Sequence, residues 1–284
     1  MKIAIFSDEI SPDPARALTL ARDWGIEHIE LRSLPSGRFP RVPDSELEEF
    51  GSRLSDCGLE LSGVSPGFFK CSVDDPLVTA EMAETIPRAC EWALKLGTDR
   101  MSGFAFDRDG AGAVPRIVID RMAEVSRNIV AGGCRFTLEN EASCWGNSGT
   151  EAIAILSQLG DGIGLCYDPG NSANSGVSAP FPDEYRQVSE HVAHLHMKNF
   201  NASDQKWTLI EEGVVDWQGQ LAALQADGYE GFAVIETHTG ISIDEYAPLD
   251  GGMVLGIDTA GLTPKETNSL RNLNFVRSRL APTA

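Results

Sequence analysis

The sequence predicts an α/β fold, and within that class a closed (β/α)8 TIM barrel formed as a single domain over residues 1–284. Three observations point there. Eight strand-length apolar runs alternate strictly with eight helix-length segments. Most helices are stopped by glycine, as at Gly25, Gly58, Gly97, Gly132-Gly133 and Gly228, and a strand follows soon after. The turn after the first strand, Ser7-Asp-Glu-Ile-Ser-Pro, holds no glycine. A doubly wound open sheet, the competing arrangement, normally carries a glycine-rich turn there. A length of 284 residues is ordinary for one barrel, and no linker or composition break divides the chain.

Each unit has its own signals. Lys2 to Ser7 reads as the first strand; Ser11-Pro-Asp-Pro then opens a helix with proline in its first turn, continuing over Ala15 to Trp24. The second strand runs from Ile26 to Arg32, with Ile29 and Leu31 toward the helices and His28, Glu30 and Arg32 on the other face. A Pro- and Gly-rich loop leads to a helix over Asp44 to Cys57. The third strand is Leu59 to Ser65, followed by a long helix from Asp75 to Leu96 with a kink expected at Pro87. Asp99 to Phe106 is the fourth strand, Val114 to Val130 its helix, and Cys134 to Glu139 the fifth strand. Asn147-Ser-Gly-Thr150 caps a helix reaching Leu159. Ile163 to Asp168 is the sixth strand and Pro182 to Glu190 a short helix. The seventh strand, Val192-Ala-His-Leu-His-Met-Lys-Asn199, alternates strictly, setting Val192, His194, His196 and Lys198 on one face and Ala193, Leu195 and Met197 on the other. Asp216-Trp217 opens a helix to Ala226, Gly231 to Glu236 is the eighth strand, and the last helix spans Thr263 to Leu280.

The formal charge is −19. A field of that sign repels phosphate backbones and anionic membranes, so neither nucleic acid nor a membrane is an expected partner. The six cysteines show no CxxC spacing and read as reduced thiols. The chain enters a strand at once, with no signal peptide and no apolar run long enough to cross a bilayer, so a cytoplasmic location is expected. A homo-oligomer is compatible with the sequence.

In a barrel, chemistry gathers at the C-terminal ends of the strands. Strands five to eight end in Leu138-Glu139-Asn140, Tyr167-Asp168-Pro-Gly-Asn171, His194-Leu-His196-Met-Lys198 and Ile235-Glu236-Thr237. Glu139, Asp168, His196 and Glu236 thus converge from four successive strands. Three carboxylates with one imidazole suit one divalent ion such as manganese, magnesium, cobalt or zinc. His194 lies one layer deeper and reads as a supporting histidine. Lys198, Glu30 and Arg32 are candidates to bind substrate hydroxyls or an anionic group. Trp145, Phe68, Phe69 and Phe104 are candidate walls for a sugar face.

These motifs, with Glu211-Glu-Gly-Val-Val-Asp-Trp217 and Gly228-Tyr-Glu-Gly231, resemble the sugar phosphate isomerase/epimerase family of xylose isomerase-like barrels. The resemblance implies Glu139, Asp168, His196 and Glu236 as metal ligands, and Glu139 and Glu236 as the catalytic pair that moves a substrate proton. Asn171 stands where the family's ketose 3-epimerases carry a histidine and is expected to meet substrate. The segment after Lys198 lacks the arginine those epimerases carry. A three-zinc endonuclease of the same superfamily needs more histidines than the five present.

The implied reaction moves the proton next to the carbonyl of a keto or aldose sugar, or sugar derivative, through an enediolate. The two glutamates are expected to face each other across the barrel. Expulsion of a β-hydroxyl instead would make the enzyme a dehydratase of a keto-inositol-like polyol. A sugar-binding barrel without catalysis is the weaker alternative. The segment from about His238 to Leu262, with Gly251, Gly252 and Gly256, is expected to shape or cover the pocket or to form an oligomer contact.

Overall fold

Eight parallel strands close into a barrel in this computed structural model, which describes residues 1–160, 162–239, 253–254 and 257–280. The strands are β1 (Lys2–Phe6), β2 (His28–Leu31), β3 (Glu60–Val64), β4 (Arg100–Gly103), β5 (Arg135–Glu139), β6 (Ile163–Tyr167), β7 (Val192–Met197) and β8 (Phe232–Ile235). Each pairs with its neighbours in sequence, and β1 pairs with β8 to close the ring. A helix follows every strand on the outside, down to Pro264–Leu280 after β8.

The alternation read in the sequence sorts the side chains into two cores. Ile5, Ile29, Leu31, Leu195, Met197 and Ile235 face outward and pack with the helices in the large apolar cluster. Each such Leu or Ile contributes roughly 1.5–3 kcal/mol relative to exposure. Ala4, Phe6, Phe232 and Val234 face inward and form a separate small cluster inside the barrel. The remaining inward positions are largely polar, among them Glu30, Ser62, Ser102, His194 and His196, all buried.

Register sets the height of each inward residue. Glu139 pairs with Cys166, Cys166 with His194, and His196 with Val234. The next inward residues after Cys166 and Val234 are Asp168 and Glu236, so the four strand ends climb around the ring rather than lying level.

The differences from the expected elements are local. Ser7–Ile10 is a short helix rather than the end of β1. The helix expected over 75–96 runs as Pro76–Ala80, a π-helical turn over Glu81–Thr85, and Ile86–Lys95. Pro87 has no N–H to donate, and its ring crowds the preceding turn; the widened turn lies just before it. Two hairpins at the C-terminal mouth go unannounced in the sequence, Ser33–Leu34 with Gly37–Arg38 and Asn199–Asn201 with Lys206–Thr208. Residues 240–252 and 255–256, with Gly251, Gly252 and Gly256, fall outside the described residues, so most of the segment expected to cover the pocket does as well.

Candidate functional site

Four side chains meet above the barrel axis. One ligand-type atom from each of Glu139, Asp168, His196 and Glu236 lies within 4.8 Å of the others, and all four residues are buried. Local structure aims each of them. Asp168 caps the short helix Pro169–Asn174, its Oδ1 accepting the Asn171 amide at 2.8 Å, which leaves Oδ2 for the cluster. The Asn140 side chain clamps the Asp168 backbone: its Oδ1 accepts the amide of Asp168 at 2.8 Å and its Nδ2 donates to the Asp168 carbonyl at 2.8 Å. Gly170 is required beside it, because a Cβ there would stand 2.9 Å from the Lys198 carbonyl oxygen.

His196 is held from below. Its Nε2 is 3.1 Å from Glu30 Oε1, which leaves Nδ1 facing the cluster, 3.1 Å from Glu139 Oε1. Glu30 also meets His194 Nε2 at 2.7 Å and accepts from Ser62 Oγ at 3.0 Å. Burial alone would lift the Glu30 carboxyl, but the two imidazoles hold it well below the usual carboxylate range. Glu30 therefore does not face substrate, contrary to the sequence reading. It lies one inward step below Arg32, its oxygens are engaged by two histidines and a serine, and it is absent from the cavity wall. His194 is a supporting residue, as expected.

Lys198 lies among the carboxylates, its Nζ 2.9 Å from Glu236 Oε2 and 3.1 Å from Asp168 Oδ2. Arg32 reaches Glu236 Oε1 at 2.7 Å, Asp8 at 2.9 Å, and also bonds Glu9. His238 Nδ1 lies 3.3 Å from Glu236 Oε1. These charges divide the acids. Burial opposes ionisation of Glu236, yet Lys198, His238 and Arg32 keep it well below the usual range. Burial lifts Asp168 to about 7, and Glu236 and Glu139 add to this against the pull of Lys198.

The cluster opens into a cavity of about 290 Å³. Asn171, Lys198 and Arg32 line it, as do Phe104 and two side chains not singled out in the sequence, Trp207 and Arg38. Trp207 is carried there by the hairpin after β7, which no periodicity announces. Phe68, Phe69 and Trp145 are buried in the apolar core and are not on the wall. Glu139 and Glu236 do not face each other: β5 and β8 are three strands apart in the ring, with β6 and β7 between. A larger hollow of about 650 Å³ opens at the other end of the barrel beside Lys2, His28 and Glu60, away from the cluster.

Three other groups combine ligand-type atoms with these residues, one of them Glu139, Cys166 and His196. In Glu30, His194 and His196 they are engaged with one another. In Glu9, Glu236 and His238 the Arg32 guanidinium already bonds both carboxylates. In the four-residue cluster, buried Asp168 Oδ2 and His196 Nδ1 make no hydrogen bond, although each lies within ion-pair distance of an opposite charge. Misaligned buried lone pairs pointing at one spot are the donor set of a cation site, so these residues fit a divalent ion.

A family model described as xylose isomerase-like TIM barrel matches residues 18–266. In sequence, the chain is 26% identical over 108 residues to an uncharacterised protein of Methanocaldococcus jannaschii, a match spanning only 37% of either length. Among solved structures, D-allulose 3-epimerase from Methylomonas sp. in complex with D-allulose gives a TM-score of 0.72 at 17% identity, covering 98% of this chain and 97% of that one. The probable 3-DHS dehydratase AsbF from Bacillus anthracis gives 0.70 at 16% identity, covering 84% and 94%. A xylose isomerase-like TIM barrel protein from Mycobacterium smegmatis in complex with magnesium gives 0.66 at 20% identity, covering 94% and 89%. At such identities the likeness is one of fold.

Proposed function

The chain belongs to the xylose isomerase-like TIM barrel family, and on that premise we propose that it is a divalent-metal-dependent sugar isomerase or epimerase. The observation that carries this reading is the convergence of Glu139, Asp168, His196 and Glu236 within 4.8 Å at the mouth of a sugar-sized cavity. These four would hold one ion, manganese, magnesium, cobalt or zinc; magnesium is present in the Mycobacterium relative. When bound, the ion supplies positive charge that acidifies the C–H beside a sugar carbonyl.

The protein's own groups do the rest. One of Glu139 and Glu236 takes that proton, leaving an enediolate. The other returns a proton to the opposite face, which epimerises, or to the adjacent carbon, which isomerises. Their 4.8 Å proximity, rather than placement on facing strands, brings both within reach of one substrate. Lys198 and Asn171 on the cavity wall orient hydroxyls, and Phe104 and Trp207 offer apolar faces to the ring or chain of the sugar.

A second reading, dehydration of a keto-inositol-like polyol, is favoured by the ammonium of Lys198 and the imidazole of His238, both on that wall. Either can protonate a β-hydroxyl as it leaves the enediolate as water.

Elemental analysis of the purified protein should find one divalent ion per chain, lost in Asp168→Ala and His196→Ala. Parent-level metal in both variants would place the ion elsewhere. Incubation with candidate ketoses and keto-polyols in deuterated water separates the two reactions: deuterium in a recovered isomer marks the first, a dehydrated product the second.

A further inference from the structure

The basic groups on the cavity wall are nearly all neutralised. Among the described residues Lys70 pairs with Glu141 at 2.9 Å, Lys198 with Asp168 and Glu236, Arg32 with Asp8, Glu9 and Glu236, His196 with Glu30 and Glu139, and His238 with Glu9 and Glu236. Arg38 differs. Its Nε donates to the Ser65 carbonyl oxygen at 3.1 Å and its Nη2 to Ser65 Oγ at 3.4 Å, and no carboxylate of the described residues forms an ion pair with it. In a chain with 42 acidic and 23 basic residues, a half-buried arginine without an acidic partner is costly unless a ligand completes it.

The place is shaped for that side chain. Gly67 adopts φ +68° directly against it, and a Cβ at Gly67 would lie 2.5 Å from Arg38 Cζ and Nε. Only glycine both takes that backbone angle readily and leaves the guanidinium room. Arg38 comes from the hairpin after β2 and is tied to Ser65, just past β3. In the ring, β2 stands opposite β6 and β3 opposite β7, the strands that bring Asp168 and His196. A substrate whose reacting end meets the carboxylate cluster extends toward Arg38.

We propose that Arg38 binds a carboxylate at the end of the substrate remote from the reacting carbonyl, so that the natural substrate is an acidic sugar or polyol. This rests on the sugar-isomerase reading of the same cavity. One guanidinium without a counter-charge matches one negative charge. A phosphate dianion calls for more than one cation, and the other cations on this wall are already paired. A cavity of about 290 Å³ lies at the small end of ligand pockets and suits a single sugar unit. Burial and the charge of Arg32 both disfavour the protonated guanidinium, a penalty that an anion at Nη1 relieves.

Isothermal titration calorimetry of the full chain with magnesium tests the assignment, using D-glucuronate, D-glucose and D-glucose 6-phosphate as probes. The uronate should bind on the order of 10-fold to 100-fold more tightly than glucose, the worth of a charge-assisted hydrogen bond. Arg38→Gln should bring that ratio to about one, and Arg38→Lys should restore part of it. Gly67→Ala keeps the charge but pushes the guanidinium aside, and should lower the ratio as well. A parent ratio near one, including binding too weak to measure for both, overturns the proposal, as does a ratio that survives Arg38→Gln. Tighter binding of the phosphate than of the uronate overturns the carboxylate. The ratio needs no turnover. Deuterium exchange into neutral ketoses without any preference for acids removes this proposal and leaves the isomerase reading. A carboxylate preference with no exchange into any compound does the reverse.

Discussion

Two polar layers are stacked inside this barrel, and they are built from similar residue types with opposite outcomes. The lower holds Glu30, His194 and Ser62, with His196 reaching down to it; the Glu30 carboxylate is met by both imidazoles and the hydroxyl. The upper holds Glu139, Asp168 and Glu236 with Lys198, and there Asp168 Oδ2 and His196 Nδ1 lack hydrogen bonds. The lower layer saturates its one carboxylate and fixes an orientation, with His194 Nδ1 the atom there that is buried without a hydrogen bond. The upper one keeps spare lone pairs and three crowded acids. Buried polar groups are tolerated when paired, and where they are left unpaired the reason is usually chemical. His196 belongs to both layers, so the lower layer acts on the upper through that one ring.

The comparison breaks most visibly if an upper-layer acid is replaced. Glu139→Gln and Glu236→Gln keep an oxygen in place but remove the base. Proton exchange into substrate from deuterated water should fall ~10²–10⁴-fold in each. Urea unfolding should change far less, and full exchange in both variants would refute proton transfer by these glutamates. In the lower layer the outcome reverses. Glu30→Ala strands two buried imidazoles and should cost ~3–5 kcal/mol in urea denaturation. A loss within the error of the measurement would show that the network is not holding the barrel.

One acid from each layer, Asp168 above and Glu30 below, gives a third and smaller effect, with opposite signs. Asp168 is raised from 3.8 to about 7, so the folded metal-free protein holds a proton there that the unfolded chain releases. That contribution is complete below pH 3.8 and is lost as pH rises through about 7, at ~1 kcal/mol per pH unit. Glu30 is lowered from 4.5, so its contribution is present above pH 4.5 and is lost as pH falls toward its folded value. Thermal melting in a chelator should show both limbs; Asp168→Asn should flatten only the upper one.

Much of this was legible because period-two alternation places side chains inward or outward without knowledge of neighbours. His194, His196, Glu139, Asp168 and Glu236 are where that rule and the ends of the apolar runs put them. What alternation does not carry is height. Glu30 and Arg32 share one face of one strand, yet one is beneath the cluster and the other on its rim, a difference set by stagger around the ring. The separation of Glu139 and Glu236 by three strands rather than four is a matter of strand order, five to eight, and not of height. Arg38 and Trp207 were illegible for another reason. Each lies in a short hairpin at the mouth, where direction comes from tertiary contacts such as Ser65 and Gly67 rather than from local pattern.

Asn199, next to Lys198, closes the loop after β7 with a single amide. Its Nδ2 donates to the carbonyls of Ile210 and Val215, and its Oδ1 accepts from the amides of Phe200 and Val215. Trp217 Nε1 adds a bond to the Lys198 carbonyl at 3.0 Å. Mobile surface loops open at little cost in free energy. This one is fastened at its root, so it opens as a cooperative unit or stays shut. The slow exchange of the Phe200 and Val215 amides with solvent would then report one shared event. That event also frees the backbone of the lysine at the centre of the charge cluster, which makes the lifetime of the latch a clock for rearrangement of the rim.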